Sequence, residues 1–143
     1  MKNFLPCKKL VKGLQQENMK EHFFSFEKLE VWKNTINFSK LIYEVTLNFP
    51  DTEKFGLVSQ IRRAVVSVSS NIAEGSAKKS LKEQAKFTEI AFGSLLEVLN
   101  QIIIAKELKY INNETYMFIR KNILQISRQL NALKNSQLRR NNE

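Results

Sequence analysis

The sequence predicts an all-α protein, an antiparallel up-down-up-down four-helix bundle. Three observations carry this reading. Apolar residues recur at spacings of three and four along four long stretches. The 143 residues hold 4 Gly and 2 Pro, too few for a β chain full of tight turns. The links between the stretches are short, which makes successive helices antiparallel neighbours. The length is that of one domain, and the 43% of apolar residues, spread throughout, suffice for a core.

Residues 1–25 differ in character from the rest of the chain and are expected to be a loosely ordered extension. MKNFLPCKKLVKGL is basic from the start and has no apolar run of a secretory signal. Met19 stands just ahead of the first helical pattern and is the expected natural start. No stretch reads as long and apolar enough to cross a membrane. The bundle is expected over 26–134, followed by a fraying basic tail over 135–143.

The first helix is expected from about Phe26 to Asn48. It carries two apolar stripes: Leu29, Trp32, Ile36, Tyr43 and Leu47, then Val31, Phe38, Ile42, Val45 and Phe49 nearly opposite. A helix of a lone bundle needs one such stripe, so the second asks for another partner. Phe49-Pro50 ends the helix, because the residue before proline is pushed out of the helical region. Asp51 or Thr52 is the expected cap of the second helix, with Glu53 favourable at its positive end.

The second helix holds the least ordinary stretch of the chain, Gln60 to Gly75. Leu57, Ile61, Ala64, Val65, Val68 and Ile72 form its apolar face. Beside that face stand Gln60, Arg63, Ser67, Asn71 and Glu74, one above another. These are directional hydrogen-bonding groups rather than the Lys and Glu of an ordinary solvated face. They read as a ladder holding helices in register; a ligand or nucleic-acid site is the competing reading. Gly75 is expected to end the helix in a left-handed conformation.

Ser80 with Glu83 forms a capping box that starts the third helix, Leu81 to about Leu108. It too has two stripes: Leu81, Ala85, Phe92, Leu95, Leu96, Leu99, Ile102 and Ile103, then Phe87, Ala91, Val98 and Ala105. Gly93 sits mid-helix at a cost of about 1 kcal/mol relative to Ala, and is expected to admit a close neighbouring backbone. Glu89 and Glu97 are expected to pair with Arg63, Lys86 or another subunit. Asn112 or Asn113 caps the fourth helix, whose seam is Tyr116, Ile119, Ile123, Ile126, Leu130 and Leu133.

The formal net charge is +9, which points to an anionic partner. Most of the excess lies at the ends. Residues 1–25 hold five Lys against two Glu, and 111–143 six Lys or Arg against two Glu, while 26–110 hold twelve against ten. Cys7 is the only cysteine and His22 the only histidine, so no disulfide, histidine triad or multi-histidine metal site can form within one chain. The expectation is a cytoplasmic protein without cofactor, metal or catalytic residues, hence not an enzyme.

Several of these residues also match a known family. Gln60-Ile61-Arg62-Arg63-Ala64, Ser67 and Asn71-Ile72-Ala73-Glu74-Gly75 carry the likeness, with Phe26-Glu27-Lys28-Leu29, Val31-Trp32, Phe49-Pro50, Ile90-Ala91, Gly93-Ser94 and Glu97. Across roughly Phe26 to Leu133 the chain resembles the four-helix-bundle proteins encoded inside intervening sequences of bacterial 23S rRNA genes. Val66, Val68, Ser69-Ser70 and Asn100 are mild departures. The resemblance implies a homopentamer with a link to ribosomal RNA, and a related bundle protein that assists retroelement reverse transcriptases binds nucleic acid. The function expected is a homo-oligomeric bundle binding structured RNA or another nucleic acid. Arg62, Arg63, Lys78, Lys79, Lys82 and Lys86 are the candidate contacts. The alternative is a protein-interaction scaffold that binds none.

Overall fold

Four α-helices follow one another along residues 23–142, which are the residues described by the structure, a computed structural model. They are α1 (Glu30–Thr46), α2 (Leu57–Ser76), α3 (Leu81–Glu107) and α4 (Asn113–Asn141). Short 3-10 turns at Ser25–Lys28 and Asp51–Glu53 precede α1 and α2, and the described residues contain no strand. Met19 and most of the expected N-terminal extension lie outside the described residues.

α2 and α3 run in opposite directions, as do α3 and α4. Ser67 of α2 meets Ser94 of α3, whereas Gly75, further along α2, approaches Phe87, further back along α3. Lys106 near the end of α3 lies over Tyr116 near the start of α4, and Thr88 near the start of α3 bonds Gln137 near the end of α4. The two loops at one end touch directly. Phe49 packs on Tyr110 at 5.4 Å, and the Tyr110 hydroxyl donates to Glu53 Oε1 at 3.1 Å. Burial, then that hydrogen bond and the charge of Glu53, push the Tyr110 hydroxyl above the usual phenol range.

The core follows the apolar spacing. On α2, Ile61, Ala64, Val65, Val68 and Ile72 are buried, and on α4 so are Tyr116, Ile119, Ile123, Ile126 and Leu130. Of the two stripes on α1, Val31, Phe38 and Ile42 enter the core, while Tyr43 and Leu47 remain exposed. Thr35 and Thr46 share the buried face because each hydroxyl donates to a backbone carbonyl one turn back, Trp32 O and Ile42 O. On α3 the buried residues include Ala91, Leu95, Val98 and Ile102, with Leu96, Ile103, Ile104 and Leu108 outside. That outer face explains a departure from expectation. One 18-residue window of α3 is long and apolar enough to cross a membrane by length and composition. It passes because core and outer apolar faces coincide on a single helix.

The helix caps, the two helical glycines and the C-terminal segment depart from the expected pattern in several places. Asp51 and Thr52 do not cap α2; instead Glu53 reaches forward and its Oε2 accepts the Leu57 N–H at 2.9 Å. Gly75 does not terminate α2 and has no positive φ. It is buried, and a Cβ there would stand 2.7 Å from the Phe87 Cβ, so its absence lets α3 approach. Gly93, expected to serve that purpose, would meet nothing within 4 Å. The expected fraying tail is helical through Asn141, because Gln137 is buried and accepts from the Thr88 hydroxyl at 2.9 Å. Ser80 and Asn112 cap α3 and α4 by accepting the N–H of Glu83 and of Thr115, but the return bond from the Glu83 carboxylate that would complete the expected capping box does not form.

The end of α3 carries a local strain. Tyr110 N–H bonds Ala105 O and Lys109 N–H bonds Lys106 O, both at 2.9 Å, a closing motif that places Lys109 at φ 62. A Cβ is disfavoured there by roughly 1–2 kcal/mol. Lys109→Gly is therefore expected to raise stability by about 0.5–1 kcal/mol, read as a higher urea midpoint. A lowered midpoint would contradict the strain.

Candidate nucleic-acid interface

The polar stripe of α2 divides into two parts. Ser67 and Asn71 form the expected ladder: Asn71 Nδ2 donates to Ser67 O at 2.8 Å and Ser67 Oγ at 3.0 Å, and Ser67 Oγ meets Ser94 Oγ at 2.9 Å. This joins α2 to α3 at mid-height. Gln60, Arg63 and Glu74 are exposed and make no side-chain hydrogen bond or ion pair with the described residues. Gln60 and Arg63 border a shallow recess with Ser67 and Glu97. A buried partner for Glu74 is thus absent among the described residues, and Glu74→Ala falls in the class of surface changes, within about 0.5 kcal/mol.

The acidic residues of α3 also pair differently from expectation. Glu89 bonds Lys134 of α4 at 2.6 Å, the one ion pair among the described residues. Glu97 accepts from Gln101 Nε2 at 3.3 Å, one turn along its own helix. Neither reaches Arg63 or Lys86.

The six candidate cations separate into two groups. Arg62 and Arg63 are adjacent in sequence, yet a helix turns them about 100° apart. Arg62 is half-buried and leans on α1: Nε donates to Thr46 Oγ1 at 2.9 Å, Nη2 to Tyr43 O at 3.3 Å, and the guanidinium lies 4.6 Å from the Tyr43 ring centre. It ties α2 to α1 as much as it offers charge to a ligand. Arg63 is exposed; it borders the recess with Gln60 and Glu97 and also the groove that Arg62 lines. Lys78, Lys79, Lys82 and Lys86 lie toward the far end of α2 and the start of α3, on the order of 20 Å away at the helical rise of about 1.5 Å per residue. Lys78 rests over Phe87 at 4.9 Å, while Lys79, Lys82 and Lys86 are exposed and make no ion pair.

Continuation of α4 adds cations that the sequence pattern alone leaves in a fraying tail. Arg140 borders a recess at the bundle end with Ser76 and Gln84, and Gln84 Nε2 donates to Lys78 O at 2.9 Å. The Lys78–Lys86 group and the end of α4 therefore share one end of the bundle. No cluster of three or more His, Cys, Asp or Glu side chains suited to a metal occurs among the described residues.

Comparison with known proteins agrees with this architecture. Residues 27–132 match the family model of the 23S rRNA-intervening sequence protein. The chain belongs to that family. A solved structure of similar fold is a protein of unknown function from the S23 ribosomal protein family of Bacteroides thetaiotaomicron VPI-5482. It aligns with a TM-score of 0.65 at 22% identity, over 73% of this chain and 97% of that one. No curated protein matches. The intervening-sequence family match spans both cation groups and stops short of Arg139 and Arg140.

Proposed function

We propose that this intervening-sequence family member is a non-enzymatic, homo-oligomeric bundle that binds structured RNA or another nucleic acid through its basic end. The observation that carries the reading is the placement of Lys79, Lys82 and Lys86. Lys79 stands in the link just before α3 and Lys82 and Lys86 on its first turns, at spacings of three and four; all are exposed and free of ion pairs with the described residues, beside Lys78 and the end of α4. Such a group favours phosphate contacts, which are strong at low salt and largely indifferent to sequence. Self-assembly is supported by the apolar outer face of α3, where Leu96, Ile103, Ile104 and Leu108 are exposed. Assembly repeats the basic end, and repeated weak contacts gain avidity on one long ligand. Five subunits is the number that the family resemblance implies.

One further observation favours a second reading, a scaffold for another protein. Met117, Phe118 and Leu124 make an exposed apolar surface on α4.

The two readings part in a salt titration of binding to an RNA duplex. Lys78, Lys79, Lys82 and Lys86 are changed together to Gln in one variant, and Arg139 and Arg140 to Gln in another. The first is expected to lose affinity, with its log–log salt slope flattened by about 0.7–0.9 for each phosphate contact removed. The second is expected to keep most of its binding. The reverse ranking would move the site to the end of α4. Absence of binding by the intact protein at low salt would leave the scaffold.

A further inference from the structure

The turn between α1 and α2 holds Phe55 almost fully in solvent, at 90% exposure. A single exposed apolar residue is ordinary. Its surroundings are not. A groove of about 760 Å³ starts at Phe55 and runs beside α2, bordered by Tyr43, Lys54, Arg62, Arg63 and Val66. The remaining residues of its lining are serines and a valine, and no carboxylate borders it. Two of its cations lie against its two rings: Lys54 Nζ is 5.5 Å from the Phe55 centre, and the Arg62 guanidinium 4.6 Å from the Tyr43 centre. The adjacent acid, Glu53, is occupied elsewhere by the Leu57 N–H and the Tyr110 hydroxyl. Asp51 borders the next recess, on the other side of Lys54.

We infer that this groove binds single-stranded nucleic acid. A base stacks on the open face of Phe55, and Lys54 and Arg63 contact the flanking phosphates. The Arg62–Tyr43 pair forms the floor, fixed in place by the hydrogen bonds of Arg62 to α1. Aromatic faces alternating with cations are the chemistry that holds single strands, because every base has a π face and every linkage a negative charge. A duplex keeps its base faces covered and cannot use Phe55 in this way. A second copy of this chain fits the groove less well. Three cations with no carboxylate among them would face a molecule of net charge +9. The inference rests on the nucleic-acid reading above, but on a separate surface, on the order of 20 Å along α2 from the Lys78–Lys86 group.

The test measures fluorescence anisotropy of a labelled uridine-rich RNA strand of about 12 nucleotides and of an RNA duplex of the same length, using the full chain. Phe55→Ala is expected to weaken single-strand binding about tenfold and duplex binding less than twofold. Phe55→Trp should restore single-strand affinity, and its emission should be quenched as the strand is added. Arg63→Gln should weaken the single strand and flatten its salt dependence. Phe55 is too exposed for its replacement to unfold the chain. Single-strand affinity of Phe55→Ala within twofold of wild type would overturn the inference. So would a fall in its light-scattering mass, which would make the groove a contact between copies. Duplex binding that depends on Lys78–Lys86, with no effect of Phe55, would remove this groove alone. Binding of neither strand form by the intact protein at low salt would remove the nucleic-acid reading as well.

Discussion

Leu95→Ala is expected to lower the free energy of unfolding by about 2–5 kcal/mol. Leu95 has no exposed surface and lies midway along α3, the helix that packs on both α2 and α4. Truncation there removes the transfer energy of the lost carbons and leaves a hole that two ridged helix faces cannot close. Urea unfolding should show a lower midpoint with little change in slope. The adjacent residue is the control. Leu96 is 44% exposed on the outer face, so Leu96→Ala should leave the fold of a single chain nearly unchanged and loosen the assembly instead. Equal losses of fold stability at both positions would mean that inner and outer faces of α3 are not distinct.

Removal of residues 135–143 is expected to cost roughly 1–3 kcal/mol, the range for a buried polar contact broken on one side. The deletion takes away Gln137, which is 8% exposed and accepts from the Thr88 hydroxyl inside the α3–α4 contact. It also uncovers Leu133 and the recess beneath Arg140. A lower urea midpoint in the shortened chain, and a similar fall in Gln137→Ala, are the results to look for. Unchanged stability in both would return this segment to the status of a solvated tail.

That segment illustrates where the sequence pattern stops being informative. The buried seam of α4 is legible from Tyr116 to Leu130 because each of its residues is apolar and spaced by three or four. Leu133 continues it, half-buried against the core, and the next buried position is a glutamine. A polar side chain whose partner, Thr88, lies 49 positions away leaves no local signal. The two glycines reverse for a similar reason. Gly75 near a helix end resembles a terminator, and Gly93 in mid-helix resembles a close approach. What decides each role is the neighbour across the interface, Phe87 in one case and open space in the other. Spacing does place Ser67 and Asn71 one turn apart, and they are bonded. It does not show that Gln60, Arg63 and Glu74, on the same stripe, point beyond the contact with α3. Phe55 gives no signal at all. It sits in a turn without periodicity, and its relation to Tyr43 and Arg62 exists only once α1 and α2 are packed together.

Self-assembly is what would turn separate weak phosphate contacts into useful affinity, and it would also cover the outer faces of α3 and α4. The most direct measurement is the molar mass of the intact protein by light scattering at micromolar concentration and moderate salt, without nucleic acid. One chain has a mass of 16.7 kDa. The expected result is a stable multiple of that mass, reduced by Leu96→Ala together with Ile103→Ala and unaffected by Phe55→Ala. A constant mass of one chain across the concentration range would contradict it, leaving the exposed apolar faces for some other partner and the basic end without the repetition that the proposed binding requires.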